Sequence, residues 1–130
     1  SLSNYISLLD EPEQIWAKLK TAATDPARVR RRDPGTPEIC NIFTMHNAFS
    51  PPEDIEWSAR GCRSAEIGCI DCKRCVAGNM AAELAPISET YHKLAAAPDR
   101  VRQLMERGAE TARARARRTL DEVRQRVGLR

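Results

Sequence analysis

Five cysteines constrain this chain more than any other feature, and four of them crowd between residues 62 and 75 in the spacing Cys40-x21-Cys62-x6-Cys69-x2-Cys72-x2-Cys75. An odd, clustered set argues against a secreted disulfide scaffold. It points to metal, cluster or thiol chemistry in a reducing compartment. A two-residue gap lets neighbouring thiolates converge on one centre with little backbone rearrangement. Structural zinc sites usually join two such close pairs. Here there is one close run, Cys69, Cys72 and Cys75, while Cys40 and Cys62 arrive separately. A four-iron cubane tolerates that layout well. Zinc and buried free thiols are the other two readings the spacing allows. Four ligands suffice, so one cysteine is spare.

The rest of the pattern is helical. Asp10-Glu11-Pro12-Glu13 reads as a capping box, followed by Ile15, Leu19, Ala22 and Ala23 and closed by Asp25-Pro26. Thr36-Pro37-Glu38 opens a second helix carrying Ile39, Cys40, Phe43 and His46. Ser50-Pro51-Pro52-Glu53 opens a third, with Gly61 as its stop. After Gly68 a long stripe runs through Val76, Met80, Leu84, Ile87, Tyr91 and Leu94, with a kink expected at Pro86. Pro98-Asp99 starts a short helix with Val101, Leu104 and Met105 inward, which Gly108 breaks. Ala112, Ala116, Leu120, Val123 and Val127 mark the last helix. No segment alternates over strand length. The expectation is an all-α bundle of about six helices.

With 130 residues there is room for one modest domain, too little for a nucleotide fold plus a recognition domain. Aromatic residues are only 5%, so the core falls to Leu, Ile, Val and Ala; Trp16, Trp57, Phe43 and Tyr91 lie on apolar faces and read as part of it. A net charge of +3 excludes a uniformly basic shell, so charge informs only where it clusters. No apolar run approaches the roughly 20 residues of a membrane helix, and the N-terminus lacks the positive head of a secretory signal. Hence no membrane partner and a cytoplasmic location are expected. His46 and His92 have no acid or nucleophile partner in the sequence and read as helix-packing residues.

Several segments together carry a family resemblance: Asp33-Pro34-Gly35 through His46, Gly61-Cys62-Arg63, Gly68-Cys69-Ile70-Asp71-Cys72-Lys73 and Leu84-Ala85-Pro86-Ile87, then Gly108-Ala109, Ala112-Arg113, Thr119-Leu120, Val123-Arg124 and Gly128-Leu129. This pattern resembles the C-terminal region of the bacterial tryptophanyl-tRNA synthetase family over essentially the whole chain. Ser1-Leu2-Ser3-Asn4 is similar to the tail of that family's Lys-Met-Ser-Lys-Ser loop, with Ser1 as the last serine. The resemblance implies a fragment cut at that loop. Residues 1–9 would connect to a missing catalytic domain, and residues 10–130 would form the helical anticodon-binding domain of a class I synthetase, with the cysteines at 40–75. It also implies that ATP and tryptophan activation belong to the parent enzyme, that no catalytic residue lies in this part, and that the partners are tRNA(Trp) and a second subunit.

A subgroup of that family holds a [4Fe–4S] cluster by four cysteines at x22, x6, x2. The resemblance therefore assigns Cys40, Cys62, Cys69 and Cys72 as ligands, with one residue fewer in the first gap. Cys75, which has no counterpart, becomes the spare or a substitute. Zn2+ remains the alternative occupant, and a free-standing RNA-binding regulator derived from a synthetase domain is the alternative protein. Helical DNA glycosylases share a C-x6-C-x2-C run, but they place a fourth cysteine downstream beside a helix–hairpin–helix that this chain lacks.

A cubane with four thiolates carries about −2, and RNA is anionic, so cations are needed nearby. Arg60, Arg63, Lys73 and Arg74 flank the ligands, and Arg28, Arg30, Arg31 and Arg32 lie in the loop-like stretch Asp25–Gly35. Arg both stacks and hydrogen-bonds, as reading an unpaired RNA loop requires. The arginines of the last helix have Asp121 and Glu122 in reach and read as exposed ion pairs.

Overall fold

The computed structural model describes residues 5–129. Ser1, the candidate remnant of an ATP-binding loop, lies outside the described residues. Among those residues there are five α-helices and no strand: α1 (Pro12–Thr21), α2 (Asn41–Phe49), α3 (Pro52–Arg63), α4 (Cys69–Ala95) and α5 (Pro98–Arg126), with a single 3-10 turn over Pro37–Ile39. The fold is all-α, as expected. No helix among the described residues is long and apolar enough to cross a membrane.

The chain divides into two compact units between Ser88 and Glu89. The first is organised by Ile15 and Leu19 of α1, Cys40 and Ile42 at the start of α2, and Val76, Ala77, Met80 and Leu84 of α4. Steps of three and four along α1 and α4 put these side chains on one stripe of each helix. Trp16, Phe43, Met45 and Phe49 pack against that core from its margin.

In the second unit, α5 contributes no buried residue. Leu104, Met105, Leu120, Val123 and Val127 are all exposed, contrary to the inward stripe expected of them. Tyr91 is likewise half-exposed rather than core.

The local signals shift in instructive ways. The cap of α1 is Glu11 rather than Asp10; the Glu11 N–H donates to Gln14 Oε1 at 2.8 Å. Asp10 instead pairs with Lys18 and accepts from the Ser7 N–H. Cys40 stands outside the second helix as its N-cap, because Pro37 starts a 3-10 turn that ends before it.

Neither Gly61 nor Gly108 ends a helix. Glycine inside a helix costs only about 1 kcal/mol relative to alanine, which the neighbouring turns outweigh. At Gly108 this joins the two expected last helices into α5, so the described residues hold five α-helices rather than six. The stop of α3 comes at Ala65, whose φ of 60° places a non-glycine residue in the left-handed conformation of a helix terminus. Gly61 is there for space: a Cβ on it would sit 2.9 Å from Ile67 Cγ2. Pro86 lies inside α4, which continues to Ala95.

Candidate metal centre and its arginine loop

The five cysteines come from three places in the fold. Cys40 caps α2, Cys62 lies in the last turn of α3, and Cys69, Cys72 and Cys75 climb the first turns of α4. All five are free thiols. Their mutual influence shows how the fold gathers them. Burial pushes the Cys72 thiol up to about 12, reinforced by Cys40, Cys62, Cys69 and Cys75. Burial also raises Cys62, with Cys40 and Cys69 adding to the shift and Arg28 opposing it.

Cys75 has a further set of neighbours. Burial and then Asp54 raise it to about 11, and its sulfur lies 3.8 Å from Asn79 Nδ2. Among the described residues no group of three or more His, Cys, Asp and Glu side chains is arranged to hold one metal ion.

His46 is fully buried behind Cys72. Its Nε2 lies 3.1 Å from the Cys72 carbonyl oxygen and 3.3 Å from the Cys72 sulfur. A carbonyl only accepts, so Nε2 carries the proton and Nδ1 accepts from Ser50 Oγ at 2.8 Å. Burial holds the imidazole below its usual pKa against the opposing pull of the Cys72 carbonyl and Asp54. Asn79 Nδ2 donates on to Ser50 Oγ at 2.9 Å and Asp54 Oδ2 at 2.7 Å. These bonds fix α2 against α4 beside the thiols, which is the packing role expected for this histidine. His92, by contrast, is exposed.

The stretch 25–35 is a loop, fastened at several points. Asp25 is buried and accepts the N–H groups of Ala27 and Thr36, both at 2.8 Å. The Gly35 N–H donates to the Cys62 carbonyl at 3.0 Å. A Cβ on Gly35 would stand 2.5 Å from Cys62 Sγ, so this is a close approach only glycine allows.

Arg28 is buried rather than displayed. Its Nη2 donates to the carbonyls of Arg31 (2.8 Å) and Ile67 (2.6 Å), and its Nη1 lies 3.6 Å from Cys62 Sγ. Lys73 is buried too. Its Nζ donates to the carbonyls of Lys20 (2.9 Å) and Ala22 (2.7 Å) at the C-terminal end of α1. A cation there satisfies orphan carbonyls and the negative end of the helix.

The remaining candidate cations stay at the surface. Arg30 and Arg32 are exposed. Arg31 pairs loosely with Asp71 at 3.8 Å, Arg60 with Glu56 at 3.3 Å, and Arg63 with Glu38. Arg74 lays its guanidinium 4.9 Å from the Trp16 ring centre. In the sequence alone, Arg28 and Lys73 read as surface groups. The signal for Lys73 was present: the stripe Leu84, Met80, Val76 continues back onto it by one more step of three.

The sequence model of the family described as tRNA synthetases class I (W and Y) matches residues 1–85. The chain belongs to the class I tRNA synthetases (W and Y). Its relatives include a tryptophan–tRNA ligase of Deinococcus radiodurans, 48% identical over 98% of this chain and 39% of the relative. Another is that of Thermotoga maritima, 39% identical over 99% of this chain and 40% of the relative. A third, from Ralstonia nicotianae, is 37% identical over 99% of this chain and 32% of the relative. This synthetase chain thus spans about two fifths or less of the length of the curated relatives it matches.

Proposed function

We propose that this chain is the C-terminal, tRNA-reading part of a tryptophan–tRNA ligase and recognises the anticodon of tRNA(Trp). The observation that carries the reading is the match to tryptophan–tRNA ligases along virtually its whole length. On this reading, activation of tryptophan with ATP belongs to the remainder of a cytoplasmic, homodimeric enzyme, and this part supplies no catalytic group.

The same reading assigns Cys40, Cys62, Cys69 and Cys72 to a [4Fe–4S] cluster. What supports it is the donor set: four soft sulfur donors from three segments of the fold, with Cys40, Cys62 and Cys69 each within electrostatic reach of Cys72. A cubane would spread these four ligands around a body of four irons rather than around one ion. When bound, such a cluster supplies a cross-link among α2, α3 and α4 and a concentrated negative charge. Cys75, turned toward Asp54 and Asn79, is the spare.

For RNA the exposed cations serve best: Arg30, Arg31 and Arg32 on the loop, Arg60 and Arg63 on α3, and Arg74 on α4. A single-stranded loop is read by stacking and by hydrogen bonds to base edges, while phosphates are held by such side chains.

The test uses the full-length protein, assayed for charging of tRNA with tryptophan against other amino acids, together with iron and sulfide analysis of anaerobically prepared material. Selective tryptophan charging that is lost with an altered anticodon is expected. Charging of another amino acid, or indifference to the anticodon, refutes the reading. Tight tRNA binding should weaken with salt. The slope of log affinity against log salt should shallow by about 0.7–0.9 for each phosphate left without its cation when Arg30 and Arg31 become Ala.

A further inference from the structure

We propose that Arg28 is the buried counter-cation of the thiolate-held group and that it couples occupancy of that centre to the order of the Arg30–Arg32 segment. This rests on the assignment of Cys40, Cys62, Cys69 and Cys72 as ligands.

Arg28 is 8% exposed and forms no ion pair with a carboxylate among the described residues. Its hydrogen bonds go to two carbonyl oxygens and a sulfur. Its Nε is buried with no partner at all. A guanidinium held this way is costly unless negative charge stands beside it, because its charge has left water without compensation. The buried Asp25 carboxylate stands near the arginine stem without pairing with the guanidinium, whereas the Cys62 sulfur lies 3.6 Å from Nη1 itself. Four thiolates around iron and sulfide leave the centre net negative. Arg28 is therefore placed to donate to a ligand sulfur and to neutralise the whole.

Its other nitrogen explains the coupling. Nη2 grips the carbonyl of Arg31, in the middle of the exposed arginines, and also the carbonyl of Ile67, in the turn that leads into α4. The loop is fastened a second time by Gly35, whose N–H meets the Cys62 carbonyl and whose missing side chain lets it lie against the Cys62 sulfur. The arginine segment thus hangs between two attachments to the same cysteine. One of them, Arg28, gains a negatively charged partner in contact with its guanidinium when the centre is charged. Emptying the centre removes the compensation and frees the segment that we assign to RNA.

The experiment is limited trypsin digestion of the full-length protein, with cleavage after Arg30, Arg31 and Arg32 followed by mass spectrometry. Wild type, Arg28→Gln and Arg28→Lys are each compared after reconstitution with ferrous iron and sulfide and after stripping with a chelator; a parallel arm uses zinc alone. Cleavage reports the open population when reclosing is fast. Loaded wild type should be cut about tenfold more slowly than stripped wild type, a change typical of one broken local fastening. Loaded Arg28→Gln should be cut like the stripped protein and should release its metal faster. Arg28→Lys keeps the charge but not the fork, so it should retain metal and still be cut fast.

Protection of loaded Arg28→Gln equal to loaded wild type overturns the proposal. So does wild type whose protection ignores stripping. Hydrogen exchange of amides 30–36 in wild type, loaded against stripped, tests the same coupling without a substitution should Arg28→Gln fail to fold; equal exchange in the two states overturns it. Wild type that takes up neither iron with sulfide nor zinc refutes the ligand assignment itself, a separate outcome.

Discussion

Two glycines of the first unit should respond in opposite senses to one added methyl. At Gly35 a Cβ would fall 2.5 Å from Cys62 Sγ and 3.1 Å from Arg28 Cδ. About 1 Å must be found, and neither neighbour yields easily. The sulfur is two bonds from the backbone of α3, and the arginine is clamped by two carbonyls. Overpacking of this kind costs about 1–3 kcal/mol. Alanine recovers about 0.4–1 kcal/mol by restricting the unfolded chain. From the midpoints of these ranges the net loss is about 1.3 kcal/mol, a fall in Tm of roughly 5–10 °C for a unit of this size. At Gly78, in α4 and exposed, nothing lies within 4 Å of the added carbon. There Gly78→Ala should gain about 0.5–1 kcal/mol from helix propensity alone. Thermal and urea melts of both variants, followed by helical circular dichroism in the same metal-loading state, decide it. A Gly35→Ala protein that melts at or above the parent temperature would refute the packing argument around Cys62.

Lys73→Met keeps the apolar stem but leaves the carbonyls of Lys20 and Ala22 without a donor, so a loss of about 2 kcal/mol is expected in urea melts; an unchanged midpoint would show that water replaces the ammonium. Ala65→Gly relieves a left-handed φ of 60° and should stabilise by about 0.5–1 kcal/mol, read as a higher Tm. Asp10 has its pKa lowered, first by the hydrogen bond from Lys18. A carboxyl depressed in the fold adds stability above its unfolded value of 3.8 and loses it as pH falls through the folded one. The Tm difference between the parent and Asp10→Asn should therefore shrink as pH drops from 5 toward 3; a constant difference would remove the pairing with Lys18 from the stability of this end.

Much of the helical order was legible because each of its signals is local. Pro12, Pro52 and Pro98 each stand at a helix start, and the period of Val76, Met80 and Leu84 marks a buried stripe. Glycine misled at Gly61 and Gly108, since its weak helix preference is overridden by flanking turns and, at Gly61, by the approach of Ile67. Around the thiols, spacing brought out the cysteines but not their surroundings. Arg28 and Lys73 look like surface charges in a sequence because charge is normally solvated. What buries them is three-dimensional: carbonyl oxygens from residues 39 positions away for Arg28 and more than 50 away for Lys73. The apolar stripe of α5 suggests an inward face because periodicity records amphipathicity, not what lies opposite.

The seat of Lys73 has a practical consequence. Amine-selective acylating reagents meet Lys20 and Lys93 at the surface, while Lys73 is sealed between α4 and the end of α1. Its modification must wait for those helices to part. The lag of Lys73 behind its exposed counterparts is thus a built-in clock for breathing of the first unit, and needs no label beyond the reagent.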